Sequence, residues 1–404
     1  KAAWEAVDTL AKKSICLRRT FQTGEAKGKN ANRKSGKKIV EATAYVCGLG
    51  FYEFSLNGKK IGDSEFAPLW SDYDKSVYYN TYDVTEQLQD GENVVGILLG
   101  NGFYNVQGGR YRKLQISFGP PTLLFELVIN YEDGTCTTVH SDNNWKYDFS
   151  PVTFNCIYGG EDYDAGKYQV SWMSPGFDDD LWKTPVIAKT GMELKSQVSA
   201  PLTVRDILPV VRKYKNSKGN WVFDFGQNFS GIIRLKVKGH SGHKITMKPG
   251  ELLEKDSTVN QRASGGPYLW NYTLSGKGGE EWQPQFTYYG FRYVEVSNIE
   301  KLELIELAGM HTTNSAPEAG AFSCSLPMFN KIYELIDWSI RSNLASILTD
   351  CPHREKLGWL EVAHLMQHAM QYRYQLDGLY SKVMGDIKDS QTQEGIVPSI
   401  APEY

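Results

Sequence analysis

The hydrophobic period of this chain changes once, and that change decides what it can fold into. Up to about residue 312 apolar residues alternate or run in short blocks between turn residues. After Pro317 they recur every three to four positions. Side chains alternate across a strand and spiral around a helix, so a period of two belongs to strands and one of 3.6 to helices. The chain must therefore build a β part first and a helical part last.

In the β part, Tyr52-Glu-Phe-Ser-Leu56 alternates as a half-buried strand does. It leads into Asn57-Gly58, a dipeptide suited to the two φ > 0 positions of a tight hairpin. Val94–Leu99 and Leu123–Ile129 are continuous apolar runs, as in the core of a sandwich, and Glu132-Asp-Gly134 closes the second. The Asp/Trp-rich stretch 177–182 and Pro201 mark a boundary near 190–200. Strand patterns resume at Trp221–Asn228, Ile232–Lys238, Ile245–Met247 and Tyr293–Val296. These patterns predict two antiparallel β-sandwiches, over 16–195 and 196–312, after a loose leader with some helical character at 1–15. Residues 24–38 read as a solvated basic loop, because no aromatic residues interleave with the charges to stack on bases.

Ser325 is placed to cap a helix with Phe329, Ile332, Ile336, Ile340, Leu344 and Ile347 on one face. A second helical pattern runs from about 361 into the 380s, through Leu365, Met366, Ala369, Leu376, Leu379, Val383 and Ile387. Two or three such helices cannot close a domain around faces this wide. Residues 313–404 are thus expected to be the start of a larger helical domain, cut short. A face left uncovered predicts a homo-oligomer or a completing C-terminal polypeptide.

A length of 404 residues gives room for two to four domains, and a net charge of -3 argues against nucleic acid or an anionic membrane as partner. No apolar run is long enough to span a bilayer. The six cysteines form no CxxC pair, so mostly buried free thiols are expected, not a disulfide framework or a zinc ribbon. His364 and His368 have the spacing of two metal ligands on a helix, but no Glu follows His364, so buried, hydrogen-bonded histidines are expected. No metal and no cofactor are expected.

The most informative segment is Asp350-Cys-Pro-His-Arg-Glu-Lys-Leu-Gly-Trp-Leu-Glu361. It places three carboxylates, a guanidinium and an indole within twelve positions, between two helical patterns. Carboxylates supply general acid or base and grip hydroxyls, and an indole offers an apolar face to a pyranose ring, so the segment suits a sugar.

Three segments carry a resemblance. They are Leu49–Gly62 with Ala67–Tyr73, Tyr82–Thr85 and Leu99–Tyr104; Asp224–Gly231 with Pro249–Leu253 and Pro284–Tyr293; and Asp350–Trp359. In that order they resemble the bacterial α-L-rhamnosidases of glycoside hydrolase family 78. The resemblance implies two β-sandwich modules before a catalytic (α/α)6 barrel, and inverting release of L-rhamnose from the non-reducing end of a glycan. It implies that Glu355 is the general acid, that Asp350 grips the sugar, that Trp359 lies against it, and that Arg354 contacts substrate or tunes a carboxylate.

Glu361 stands near a position where many members carry an aspartate, as part of Leu360-Glu361-Val362. The family's general base is implied to lie further along, outside this segment of barrel. Asn57, Trp70, Asn101 and Gly102 are a candidate second sugar site, with turn chemistry as the competing reading of the two Asn-Gly pairs. A reading from another class also stands: a non-catalytic carbohydrate-binding protein with a vestigial helical domain.

Overall fold

The computed structural model describes residues 4–6, 13–24, 37–106, 110, 114–300 and 302–403. Two sheets form the first unit. A seven-stranded sheet runs in the order Val186–Ala188, Trp4–Ala6, Thr122–Tyr131, Ile39–Leu49, Ser76–Asp83, Glu193–Ser196, with Cys136–His140 also on Thr122–Tyr131. A five-stranded sheet runs Lys146–Phe149, Ile15–Thr23, Gly91–Leu99, Tyr52–Leu56, Lys59–Lys60. Leu17, Val46, Phe54, Ile97, Phe125, Leu127 and Trp145 share the core of this unit. The two apolar runs are central strands, and Asn57 and Gly58 take φ of 53° and 80° in the hairpin turn.

The reading of residues 1–15 needs correction. Trp4–Ala6 is a strand, paired antiparallel with both Thr122–Tyr131 and Val186–Ala188, and Ile15 already opens the next one. Most of the predicted basic loop, residues 25–36, lies outside the described residues.

A ten-stranded sheet forms the second unit. Its longest strand, Trp221–Lys238, changes neighbours along its length. The first half pairs with Arg212–Lys215 and Tyr289–Ser297, and from Gly231 onward it pairs with Leu304–Asn314 and then Gly279–Trp282. At the crossover a Cβ on Gly231 (φ 152°) would lie 2.0 Å from the Met310 carbonyl oxygen, so only glycine lets the strands approach this closely. The predicted second sandwich is thus one hydrogen-bonded sheet carried between layers by a shared strand.

The boundary at 195 also moves. The hairpin Val152–Cys156/Gly160–Asp164 pairs, in parallel, with Leu269–Thr273 of the second sheet. Tyr163 stacks on Tyr272 across that pairing, with ring centroids 5.7 Å apart. A second parallel pair joins Glu193–Ser196 to Ser76–Asp83, so neither unit is purely antiparallel.

Three helices follow: α1 (Pro327–Asn343), α2 (Leu360–Gln371) and α3 (Asp377–Asp389). Ser325 does not cap α1. Leu326 precedes it, and Pro327 takes the first turn, where a missing N–H costs nothing. The second helical pattern is broken at Tyr372–Leu376, where Arg373 and Tyr374 turn back to bond Asp337 of α1 at 3.0 and 2.6 Å. Ile340, Leu344, Leu348, Met370, Leu376, Leu379 and Val383 make the helical core. Phe329, Ile332 and Ile336 of the predicted apolar face of α1 are exposed, with Leu335 beside them, whereas Ile340 and Leu344 of the same face are buried. A groove of about 420 Å³ opens between α1 and α2, lined by Phe322, Tyr333, Ile336, Ala369 and Tyr372.

The helical segment rests on the second sheet. Trp338 of α1 packs on His311, and Arg341 reaches Asp206 at 2.8 Å. Gly290 lies where its strand passes beneath Pro352, and a Cβ there would lie 2.5 Å from the proline Cγ. Gly290→Ala should therefore cost about 1–3 kcal/mol through overpacking. Urea denaturation should show the loss, with the far-ultraviolet circular dichroism of the folded state unchanged.

Candidate functional site

The segment Asp350–Trp359 is a closed loop between α1 and α2. Asp350 N donates to Leu357 O, and Leu357 N donates to the Asp350 Oδ1 carboxylate oxygen, both at 3.2 Å. At its far end Trp359 bridges to Ile400, and Leu360 N donates to Ser399 O at 3.0 Å. Gly358 permits that contact, since a Cβ there would meet Ala401 O and Ile347 Cδ1, both at 2.4 Å.

Lys356 fixes the loop from beneath. It is fully buried, in the left-handed region at φ 55°. Its Nζ donates to Ile157 O at 3.0 Å and to His353 O at 3.2 Å. The rings of Tyr158, Tyr268, Tyr288 and Tyr289 surround it, with centroids 5.1–5.6 Å away. Burial pulls the ammonium down to about 7, against the opposing pull of Cys351, Cys156 and Asp350. The ring faces and the two carbonyls favour the cation. The Tyr158 hydroxyl also donates to Glu355 O at 2.8 Å. With Lys356 pointing inward, its neighbours Glu355 and Arg354 point outward.

The structure brings together four of the five predicted site residues. Glu355 is half-buried; its Oε2 accepts from Trp359 Nε1 at 3.1 Å, and its Oε1 lies 3.4 Å from Arg354 Nε. Arg354 and Trp359 are exposed, and the Cys351 thiol donates to Asp350 Oδ2 at 3.1 Å. Asp350 accepts one bond within the loop on each carboxylate oxygen and is not a helix cap; Trp359 is the residue that precedes α2. Glu361 stands apart, exposed in the first turn of α2, where a carboxylate complements the helix dipole.

Sequence reasoning missed Lys356 and a second group beside it. His353 Nε2 lies 2.9 Å from Glu251 Oε2, and its Nδ1 faces the Arg354 N–H at 2.9 Å. Burial opposes the imidazolium, but the Cys351 sulfur and Glu251 outweigh it and hold His353 up to about 9. The Glu251 carboxyl is lowered: burial raises it, and His353 and Asn228 more than offset that. Burial also raises the Cys351 thiol, but His353 and the Glu355 N–H bring it below its ordinary value. His353 was in view within the segment; its partner, about a hundred positions earlier on another unit, gave no local signal.

The second sugar site does not survive folding. Trp70 is 1% exposed and stacks on Phe103 with centroids 4.5 Å apart. Asn101 is fully buried, its N–H donating to Asn155 Oδ1 at 2.8 Å. Neither offers a face to a ligand. Asn57 serves its turn, Nδ2 donating to Asn93 Oδ1 at 2.8 Å and Oδ1 accepting from Val94 N at 2.9 Å. Gly102 is buried at φ 52°, where a Cβ would lie 2.9 Å from Phe51 N. His364 and His368, expected to be buried, are exposed on α2. Of the six free cysteines three are buried, Cys351 is intermediate, and Cys136 and Cys324 are exposed.

Residues 37–206 match the α-L-rhamnosidase N-terminal domain, 214–312 the bacterial α-L-rhamnosidase concanavalin-like domain, and 317–404 the bacterial α-L-rhamnosidase six-hairpin glycosidase domain. An α-L-rhamnosidase of Formosa agariphila is 38% identical over 367 residues, covering 87% of this chain and 38% of that protein. The structure of an α-L-rhamnosidase from Dictyoglumus thermophilum superposes with a TM-score of 0.89 at 32% identity, over 100% of this chain and 46% of that one. The Streptomyces avermitilis α-L-rhamnosidase complexed with L-rhamnose gives 0.87 at 32% identity, over 100% of this chain and 38% of that one. The chain thus spans about two fifths of the length of the curated relatives it matches.

Lys356→Met keeps the stem but leaves two buried carbonyls without their donor. It should cost about 1–3 kcal/mol in urea denaturation, the penalty of stranded buried polar groups. A change below a few tenths of a kcal/mol would show that the ammonium does not hold the loop.

Proposed function

Because the chain belongs to the bacterial α-L-rhamnosidase family, we propose that it carries the acid side of a glycosidase site that releases terminal, non-reducing α-L-rhamnose with inversion. One observation supports this above the rest: a half-buried carboxylate, Glu355, held by the donors of Trp359 and Arg354 on a loop that also carries Asp350. In this reading Glu355 protonates the departing glycosidic oxygen. Asp350 and Arg354 grip hydroxyls of the sugar, and the exposed indole of Trp359 takes its apolar face. Glu361 has a lesser part, at the edge of the site. The substrate is a rhamnose-containing glycan or glycoside.

Inversion needs a second carboxylate, a base about 6.5–9.5 Å from the acid, with room for a water between. The resemblance assigns that base to helices that follow the matched segment in an (α/α)6 barrel. The exposed apolar residues of α1, and the groove between α1 and α2, are the surface on which such helices would pack. The alternative of a carbohydrate-binding protein without catalysis is less well supported, since its sugar residues on the first unit, Trp70 and Asn101, are interior.

The acid role has a specific signature in a polypeptide that hydrolyses aryl α-L-rhamnosides. Glu355→Gln should lower kcat by about 10²–10⁴-fold on a substrate with a poor leaving group. It should leave hydrolysis of a dinitrophenyl rhamnoside far less affected, because that leaving group needs no proton. Equal losses on both substrates would contradict the assignment.

A further inference from the structure

We propose that Glu251 and His353 form a clamp between the second β unit and the acid loop, with His353 as a positioning residue for Glu355. The inference rests on the reading of Glu355 as the acid. It adds a component from outside the helical segment, because Glu251 belongs to the turn after Lys244–Gly250.

The geometry is a chain of contacts. Asn228 Nδ2 donates to Glu251 Oε1 at 2.9 Å, and Glu251 Oε2 faces His353 Nε2 at 2.9 Å. Beyond the ring, Nδ1 faces the Arg354 N–H, and the Cys351 side chain is a hydrogen-bonding neighbour of the imidazole. Cys351 in turn accepts from the Glu355 N–H at 3.4 Å and donates to Asp350 Oδ2 at 3.1 Å. One carboxylate on the β unit is therefore joined, through one imidazole, to the backbone of the acid and the side chain of the sugar-gripping aspartate.

Without its proton Nδ1 accepts from the Arg354 N–H. Once the ring is protonated that acceptor is lost, and the Cys351 side chain and the Glu251 carboxylate hold the cation. Charged and titrating groups among the described residues meet the ring from two elements. From the β unit come Glu251 and the Tyr289 ring, 6.0 Å away. From the loop come Cys351, Arg354 and the buried ammonium of Lys356, which donates to His353 O. Burial of the ring opposes the protonated mode, and Glu251 with Cys351 outweighs it, holding His353 up to about 9. A raised His353 and a lowered Glu251 mean that the clamp stabilises fully between about pH 4.5 and 6.5. That contribution is lost as the pH rises through about 9.

The test is the titration of the seven histidines of the chain by proton NMR, with His353→Gln identifying the His353 signal. The clamp predicts a His353 midpoint near 9, moved down by at least one pH unit in Glu251→Gln. It also predicts that the melting-temperature gap between the parent chain and His353→Gln narrows as pH rises from 6 to 10. In a polypeptide that hydrolyses an aryl rhamnoside, Glu251→Gln should lower kcat several-fold at pH 6 and leave KM unchanged. A His353 midpoint near 6.5 that Glu251→Gln does not move overturns the clamp. So does an unchanged kcat in Glu251→Gln, or a loss confined to KM. Glu251→Asp, which keeps the charge, is the second variant if the amide fails to fold, and must retain a raised midpoint. Absence of turnover in a polypeptide that also carries the base-bearing helices would count against the functional reading alone, since the titration judges the ion pair without it.

Discussion

The Lys356 ammonium, enclosed by four tyrosine rings and two carbonyl oxygens, is the contact on which the loop at 350–359 depends. Burying a cation is expensive unless the site replaces its water; here ring faces and carbonyls do so in part, and burial still pulls the ammonium down to about 7. The left-handed backbone at Lys356 turns its side chain into the β unit. Glu355 and Arg354 before it are left facing outward, with the indole of Trp359 three positions on. A functional site on a loop needs a rigid support, and this loop takes its support from the β unit as well as from the helices it connects.

That dependence gives the β units a role in the site itself. The hairpin at 152–164, which belongs to the second sheet, carries Tyr158 and Ile157 to the loop. The strand Tyr289–Ser297 brings Tyr289 and the small Gly290 beneath Pro352. The turn after Lys244–Gly250 supplies Glu251. Parts of the chain about two hundred positions apart thus meet under one carboxylate.

Much of this was legible in the sequence where the signal was local. The change of period separated strands from helices. Asn57-Gly58 announced its hairpin, and the twelve residues at 350–361 stood out by their chemistry as the candidate site. What was not legible depended on distant partners. Trp70 and Asn101 have the composition of a sugar site, but Phe103 and Asn155 claim them for the interior. The hairpin at 152–164 reads as a continuation of the first sandwich until its parallel pairing with Leu269–Thr273 is seen. The break at Tyr372–Leu376 carries neither Gly nor Pro; bonds from Arg373 and Tyr374 to Asp337 accompany it. Lys356 itself looked like any charged residue in a polar loop, because its tyrosines lie 67 or more positions earlier in the chain.

Hydrogen exchange of the loop amides tests most directly whether the β unit holds the loop. If it does, the Leu357 and Glu355 amides exchange only when the second sheet unfolds, with the same opening free energy as the strand Tyr289–Ser297. Rapid exchange of these amides while that strand stays protected would show a loop that opens on its own, and would contradict the account.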